Sequence, residues 1–384
     1  MDTALYFLFP GVIVIADLLR RRSKPLLYSV VFVVGLFLCF GYMTGSDWRA
    51  YELAYGLLLI KESPPHSTDP GFLLLMLPFT LSGVEFWHFF IVAKVVLYLI
   101  FCYYIRRFAA HDFYYAFAIF YGYIAVFLFI DNPMRNLIAS AVYLFALKHI
   151  REREWLKYLF VCFVAVLFHK SALLLIPLYF VLNRTYQARH IAIAFIAFNA
   201  LIHIYGGDLV QAVKSIDYAG YADSKETAEK LYSYVLADDI EDKRFSLGLL
   251  ARYIAFIVLI LSKKRIERSS GYGAMIFNGS ILVIVILRLA FLWPILVRVV
   301  IPLSLFFCVA IAIAVRSSDG IMKPVYYATF LVFYSAALYS QITSAYKYIP
   351  YTSYLSYCFA DKPDYEYRSD YNLSHSPYRD KSPR

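Results

Sequence analysis

Charge is what this chain has least of. Asp, Glu, Lys and Arg make up 17% of its 384 residues while apolar side chains make up 61%, against roughly 45 to 50% in soluble globular domains, so an ordinary soluble fold is excluded. Cysteine is scarce as well. Cys39, Cys102, Cys162 and Cys308 fall in apolar stretches and Cys358 in the tail, with no CxxC and no pairing pattern, so neither a disulfide framework nor a metal site is expected. No internal repeat stands out, which weakens an inverted-repeat transporter reading. The first apolar segment has no basic start and no small-residue cleavage site; its arginines follow it, so it reads as an anchor rather than a signal peptide. The formal net charge of +10 sits mostly in short basic clusters suited to anionic lipid headgroups, and it does not argue for nucleic acid.

What the chain does have is apolar runs of roughly 15 to 22 residues along its length, matched to an apolar layer about 30 Å thick. The predicted fold is an all-α polytopic integral membrane protein with about 12 transmembrane helices. The spans fall at 3-19, 26-43, 86-105, 113-130, 134-150, 155-168, 171-182, 190-205, 246-262, 273-293, 295-315 and 325-342. Basic clusters follow alternate spans, among them Arg20 to Lys24, Arg106 and Arg107, Lys148 to Lys157, and Lys263 to Arg268. By the positive-inside rule those loops are cytoplasmic and both termini lie outside. The stretch Gly71 to Gly83 is too short to cross and is expected as a re-entrant or interfacial outer helix. Residues 1-345 thus form a transmembrane domain with outer loops 44-85 and 206-245, the second carrying a mixed-charge, helical-looking run from Lys225 to Lys243 read as a lid. Residues 346-384 form an outer tail, expected to be disordered after Ala360 because it is rich in Asp, Ser, Pro and Arg.

This topology places every arginine inside or at the rim of a strongly apolar stretch, Arg135, Arg252, Arg288 and Arg298, at the outer face. A guanidinium in a spanning segment costs roughly 2.5 to 3.5 kcal/mol on insertion scales, so several on one side imply a shared anion site. Arg135 follows Asp-Asn-Pro-Met at a helix start, where free N–H groups add positive potential; a salt bridge with Asp131 that anchors the helix end is the plain alternative. Arg252 lies roughly 9 Å below the outer edge at about 1.5 Å per residue. His169 and Lys170 close another span on the same side, His169 as base, donor or simple interface residue. Asp47, Trp48 and Tyr51 open the first outer loop, a carboxylate beside aromatic faces that suits a sugar site as well as an interfacial belt. Tyr348, Pro350 and Tyr351 follow the last span as interface anchors or as lining of an outer cavity. Lys94, Asn278 and His203 read as packing or snorkelling residues.

The order Gly-Ser-Asp-Trp-Arg-Ala-Tyr (45-51), Asp-Pro-Gly-Phe (69-72), Met-Arg-Asn-Leu-Ile-Ala (134-139), His-Lys-Ser-Ala-Leu (169-173) and Ile-Pro-Tyr (349-351) resembles the EpsG-like family of Wzy-type polysaccharide polymerases, from about residue 40 to residue 355. The resemblance implies a GT-C-like, metal-independent glycosyltransferase of the bacterial inner membrane with its site facing the periplasm. It would use no cofactor and would take undecaprenyl-pyrophosphate-linked oligosaccharides, with a chain-length regulator protein as a further partner. Carried over, Arg135 and His169 are the central pair with Asp47 as the third catalytic candidate. Arg252, Arg288, Arg298, Tyr51, Trp48 and Lys170 are the substrate-binding candidates. A lipid-oligosaccharide ligase shares this chemistry. A flippase would need polar residues through the full depth of a pathway, whereas the inner halves of the spans are almost wholly apolar.

Overall fold

A computed structural model describes residues 2–19, 24–64, 68–214, 247–290, 292–293, 296–317 and 322–375. The expected lid run from Lys225 to Lys243 lies outside them. With no water inside a bilayer to satisfy backbone groups, apolar segments of this length must close their hydrogen bonds internally, and they do so as helices. In chain order these are α1 (Asp2–Leu18), α2 (Lys24–Cys39), α3 (Trp48–Leu59), α4 (Pro70–Leu81), α5 (Phe86–Phe108), α6 (Phe113–Phe120), α7 (Met134–Arg151), α8 (Trp155–Phe168), α9 (Leu178–Leu182), α10 (Ala188–Lys214), α11 (Leu247–Arg268), α12 (Gly273–Leu289), α13 (Val297–Arg316), α14 (Met322–Ser344) and α15 (Tyr365–His375). Among the described residues the only strands are β1 (Gly41–Tyr42) and β2 (Thr352–Ser353), antiparallel with Gly41 opposite Ser353. The protein is an all-α membrane protein. Phe86–Phe108, Ala188–Leu209 and Val297–Arg316 are long and apolar enough to cross a membrane, and shorter apolar helices stand beside them.

The basic loop ends meet at one end of the bundle. Arg316 pairs with Asp17 at 2.8 Å and Asp112 at 3.2 Å, while Arg107 and Arg151 both lie over the Tyr272 ring. These contacts gather the termini of α1, α5, α6, α7, α12 and α13 that the charge pattern assigns to one side. Helix packing in an apolar solvent rests on close fit and on satisfied polar groups. Accordingly Ser140, Ser280 and Ser304 donate to carbonyls one turn back, and Phe9 stacks on Phe37 at 4.4 Å.

Two expectations are revised and a third is narrowed. The segment 171-182 is not one helix: a 3-10 turn, Lys170–Leu175, leads into the five-residue α9, because Pro177 interrupts it. Its far end is still held near the basic face, since Asn278 donates to the carbonyls of Leu182 at 2.8 Å and Arg184 at 2.7 Å. Of the two readings given for Lys94, packing is the one that holds. Its side chain is wholly buried and donates to the Phe129 carbonyl at 3.0 Å and Asn132 Oδ1 at 3.1 Å. The tail is ordered through His375: Arg368 of α15 makes a two-pronged pair with Glu52 of α3 at 2.7 and 2.9 Å under the rings of Trp48, Trp87 and Tyr42. Composition alone points to disorder; this buried guanidinium and its aromatic enclosure outweigh it.

Candidate active site

The end of α6 away from the basic loops is built to place an arginine. The helix widens into two π turns, Tyr121–Ala125 and Phe127–Asp131, and stops at Asn132, whose φ of 65° lies in the left-handed region that asparagine tolerates. The Asn132 amide holds that turn by donating to the Ile130 carbonyl at 2.7 Å and the Thr44 carbonyl at 3.2 Å. Pro133 follows, and α7 begins at Met134, so Arg135 stands in its first turn. The loop after α2 crosses here at Gly45. Its φ is +80°, and a Cβ there would sit 2.5 Å from the Ile130 carbonyl oxygen, so only glycine fits.

Arg135 is paired with Asp69 at 2.8 Å, not with Asp131. Asp131 instead takes Lys347, which follows α14, and accepts from Ser46 at 3.2 Å. The Asp-Pro-Gly run explains the first pair: Asp69 is the N-cap of α4, Pro70 opens it, and Gly71 brings it against α8, where a Cβ would lie 2.8 Å from the Leu167 backbone. Beneath them Tyr51 is buried, with its ring below Arg135 and its hydroxyl donating to Asp47 Oδ2 at 3.3 Å. Burial raises the Asp69 carboxyl, more than the neighbouring Arg135 lowers it. Asp47 is exposed, yet its carboxyl is also raised, first by the protein crowding it and then by Asp131, which fits a group in a recess.

His169 ends α8 in an extended conformation and caps the 3-10 turn after it. Its Nδ1 accepts from the Ser171 N–H at 3.2 Å and lies 2.7 Å from the Ser171 hydroxyl. Burial, then the charges of Arg298 and Arg135, push the imidazole down to about 4. Those two arginines therefore share a neighbourhood with His169. Lys170 is exposed beside it and acts on Asp69.

Arg252 and Arg288 form a second group at the same end of the bundle, where the Arg288 charge bears on Arg252; Arg252 also reaches the Leu287 carbonyl at 3.4 Å and lies near Tyr123. Trp48 is corrected as a sugar platform. It is fully buried, packed on Trp87 with Arg368 over its ring, and has no face at the surface. An apolar groove of about 370 Å³ lined by Leu156, Phe160, Phe163, Val166, Leu173 and Ile176 runs along α8; Val166 and Leu173 flank His169 in the chain. Among the described residues one His-carboxylate grouping is tight enough for a cation, His149 with Glu152 and Glu154. It belongs to the basic face, and Lys157 and His149 already hold Glu154.

Sequence reasoning missed Lys347, Ser171 and the crossing role of Gly71. Lys347 stands directly before Tyr348, and its charge after the last span is the signal that could have found it. No spacing rule ties Ser171 to a ring nitrogen two residues back.

The fold and this site define a helical membrane protein with a group of cations, carboxylates and one histidine gathered at the end of the bundle opposite its basic loops. The chain matches the EpsG family over residues 24–353 and belongs to that family, whose members are related to Wzy-type polymerases of polysaccharide biosynthesis. Among curated proteins and solved structures, no match was found.

Proposed function

We propose that this protein is a polysaccharide polymerase. It moves a growing glycan from undecaprenyl pyrophosphate onto the sugar hydroxyl of an incoming lipid-linked repeat unit, at the outer face of a bacterial inner membrane crossed by about 12 spans in a GT-C-like arrangement. The observation that carries the reading is the grouping of Arg135, Arg298 and His169 beside Asp69 and Asp47 at the end away from the basic loops.

The chemistry follows from those groups. The bond from the donor sugar's anomeric carbon to phosphate breaks while a bond to the acceptor oxygen forms, so negative charge grows on pyrophosphate and a proton leaves the hydroxyl. Guanidinium groups fixed where that charge grows stabilise the transition state without reorganising, and such preorganised electrostatics commonly contribute more to catalysis than any other single effect. Planar two-pronged contacts to phosphate oxygens suit arginine. Arg135 and Arg298 hold the pyrophosphate, Arg252 and Arg288 extend the cationic floor, and the apolar groove along α8 takes part of the isoprenoid tail. Asp47 and His169 are the groups available for proton handling. Metal is not needed in this scheme.

The test is a reaction of the purified protein with a defined undecaprenyl-pyrophosphate oligosaccharide, scored for a ladder of products with and without chelator. A ladder in both arms supports the reading. No ladder with polymerisable substrate refutes it, and transfer only to a lipid core or protein acceptor assigns a ligase instead.

A further inference from the structure

Of the two proton-handling groups, His169 has the protonation of each ring nitrogen already decided. Nδ1 accepts the backbone N–H of Ser171 at 3.2 Å. A peptide N–H can only donate, so Nδ1 carries no proton. The Ser171 hydroxyl, 2.7 Å away, then donates to Nδ1 as well. In the neutral ring the proton must therefore sit on Nε2. Protonating Nδ1 would set two N–H groups against each other and add charge beside Arg135 and Arg298, in line with an imidazole held down to about 4. Nδ1, the one basic nitrogen, is turned toward its own backbone, and Nε2 presents a hydrogen.

Resting on the polymerase reading, we propose that His169 is a hydrogen-bond donor from Nε2 to the leaving pyrophosphate oxygen, with Ser171 as the positioning residue that fixes its tautomer and Asp47 as the base for the acceptor hydroxyl. Among the carboxylates of the site, Asp69 is buried against Arg135 and Asp131 is buried against Lys347, whereas Asp47 is exposed. The acceptor oxygen bonds to the anomeric carbon and its proton passes to the Asp47 carboxylate. The carbon–oxygen bond to phosphate breaks with its electron pair left on pyrophosphate, where Arg135, Arg298 and the Nε2–H of His169 receive the charge. Asp47 then releases its proton to outside water.

Two measurements test this. In full-length protein labelled with ¹⁵N-histidine, the resonance lost in His169→Gln identifies the ring. Pyridine-like Nδ1 with pyrrole-like Nε2 is expected, and the opposite pattern overturns the assignment whatever the activity. In the purified polymerisation assay, His169→Gln sets an amide N–H near the Nε2 position and should retain activity within about tenfold, the worth of one weakened hydrogen bond. His169→Ala and His169→Asn, which do not reach that position, should lose about 10² to 10³-fold. The acid limb of the wild-type pH profile should persist in His169→Gln and vanish from the residual activity of Asp47→Asn. If Gln is as inactive as Ala at equal membrane abundance, or if the acid limb goes with His169, the imidazole is the base and the proposal falls. A wild-type protein that forms no ladder refutes the polymerase reading instead, and the resonance test still stands.

Discussion

Gly71→Ala is the sharpest perturbation of this site, because one glycine lies where two of its segments cross. Gly71 is two residues after Asp69, and the backbone it touches, Leu167, is two residues before His169. An added Cβ would lie 2.8 Å from the carbonyl carbon and oxygen of Leu167, while ordinary contact begins near 3.4 Å. The Cβ is fixed in place by its own backbone and meets the Leu167 backbone, so no side chain can swing away. The helices must part by about 0.6 Å or more, an overpacking strain on the order of 1 to 3 kcal/mol. Such a cost leaves a membrane helix inserted, but it moves Asp69, and with it the Arg135 guanidinium, relative to His169. A displacement on the order of 1 Å between catalytic groups typically costs about 10²-fold in rate. The expected phenotype is a protein of near-normal abundance with initial polymerisation slowed about 10- to 100-fold. The assay is the rate of ladder formation in reconstituted vesicles, with thermal unfolding alongside. Gly56→Ala in α3 is the control: a Cβ there meets nothing within 4 Å, so it should be neutral or gain about 0.5 to 1 kcal/mol. Wild-type rate and chain length in Gly71→Ala would refute the idea that this crossing sets the site's geometry.

Other outcomes follow from the same contacts. Asp47→Asn should abolish long polymer yet raise the unfolding temperature near pH 7. A carboxyl raised in the folded state penalises its charged form, so that gain should shrink as the pH falls through the raised value. Arg368→Met should leave the half-buried Glu52 without its partner and loosen α15, at a cost on the order of 1 to 3 kcal/mol; faster proteolytic loss of the segment after Pro350 would register it. Arg135→Lys keeps the charge but loses the planar fork, so polymerisation should remain well below wild type, while Lys170→Met, at an exposed position, should cost less than about tenfold. Both are read from product ladders.

Much of the membrane architecture was legible because the signals are local. Apolar length marks the helices and the alternation of basic loops marks their ends, which is why Arg316, Asp17 and Asp112 meet as the charge pattern requires. The motif residues were legible as a set, but their partners were not. Arg135 lies four residues after Asp131 and looks like its natural mate, yet the distant Asp69 takes it, since Gly71 seats α4 on α8 and Lys347 occupies Asp131. Trp48 and Tyr51 read as open aromatic faces because sequence cannot show that α15 folds back to cover the first and that Arg135 lies over the second. The tail failed for a related reason: its composition is polar, but one arginine with one glutamate and a cage of rings suffices to order it.

Asp131 joins stretches far apart in the chain, Ser46 at a separation of 85 residues and Lys347 at 216. The ribosome supplies the serine and the carboxylate early and the ammonium last. A nascent chain that has made every helix through α13 therefore still holds the Asp131 carboxylate without its ammonium partner, next to the hydroxyl neighbour of Asp47. The site reaches its final electrostatic state only when the segment after α14 has delivered Lys347, so on the proposed function its assembly waits for the part of the chain made after α14.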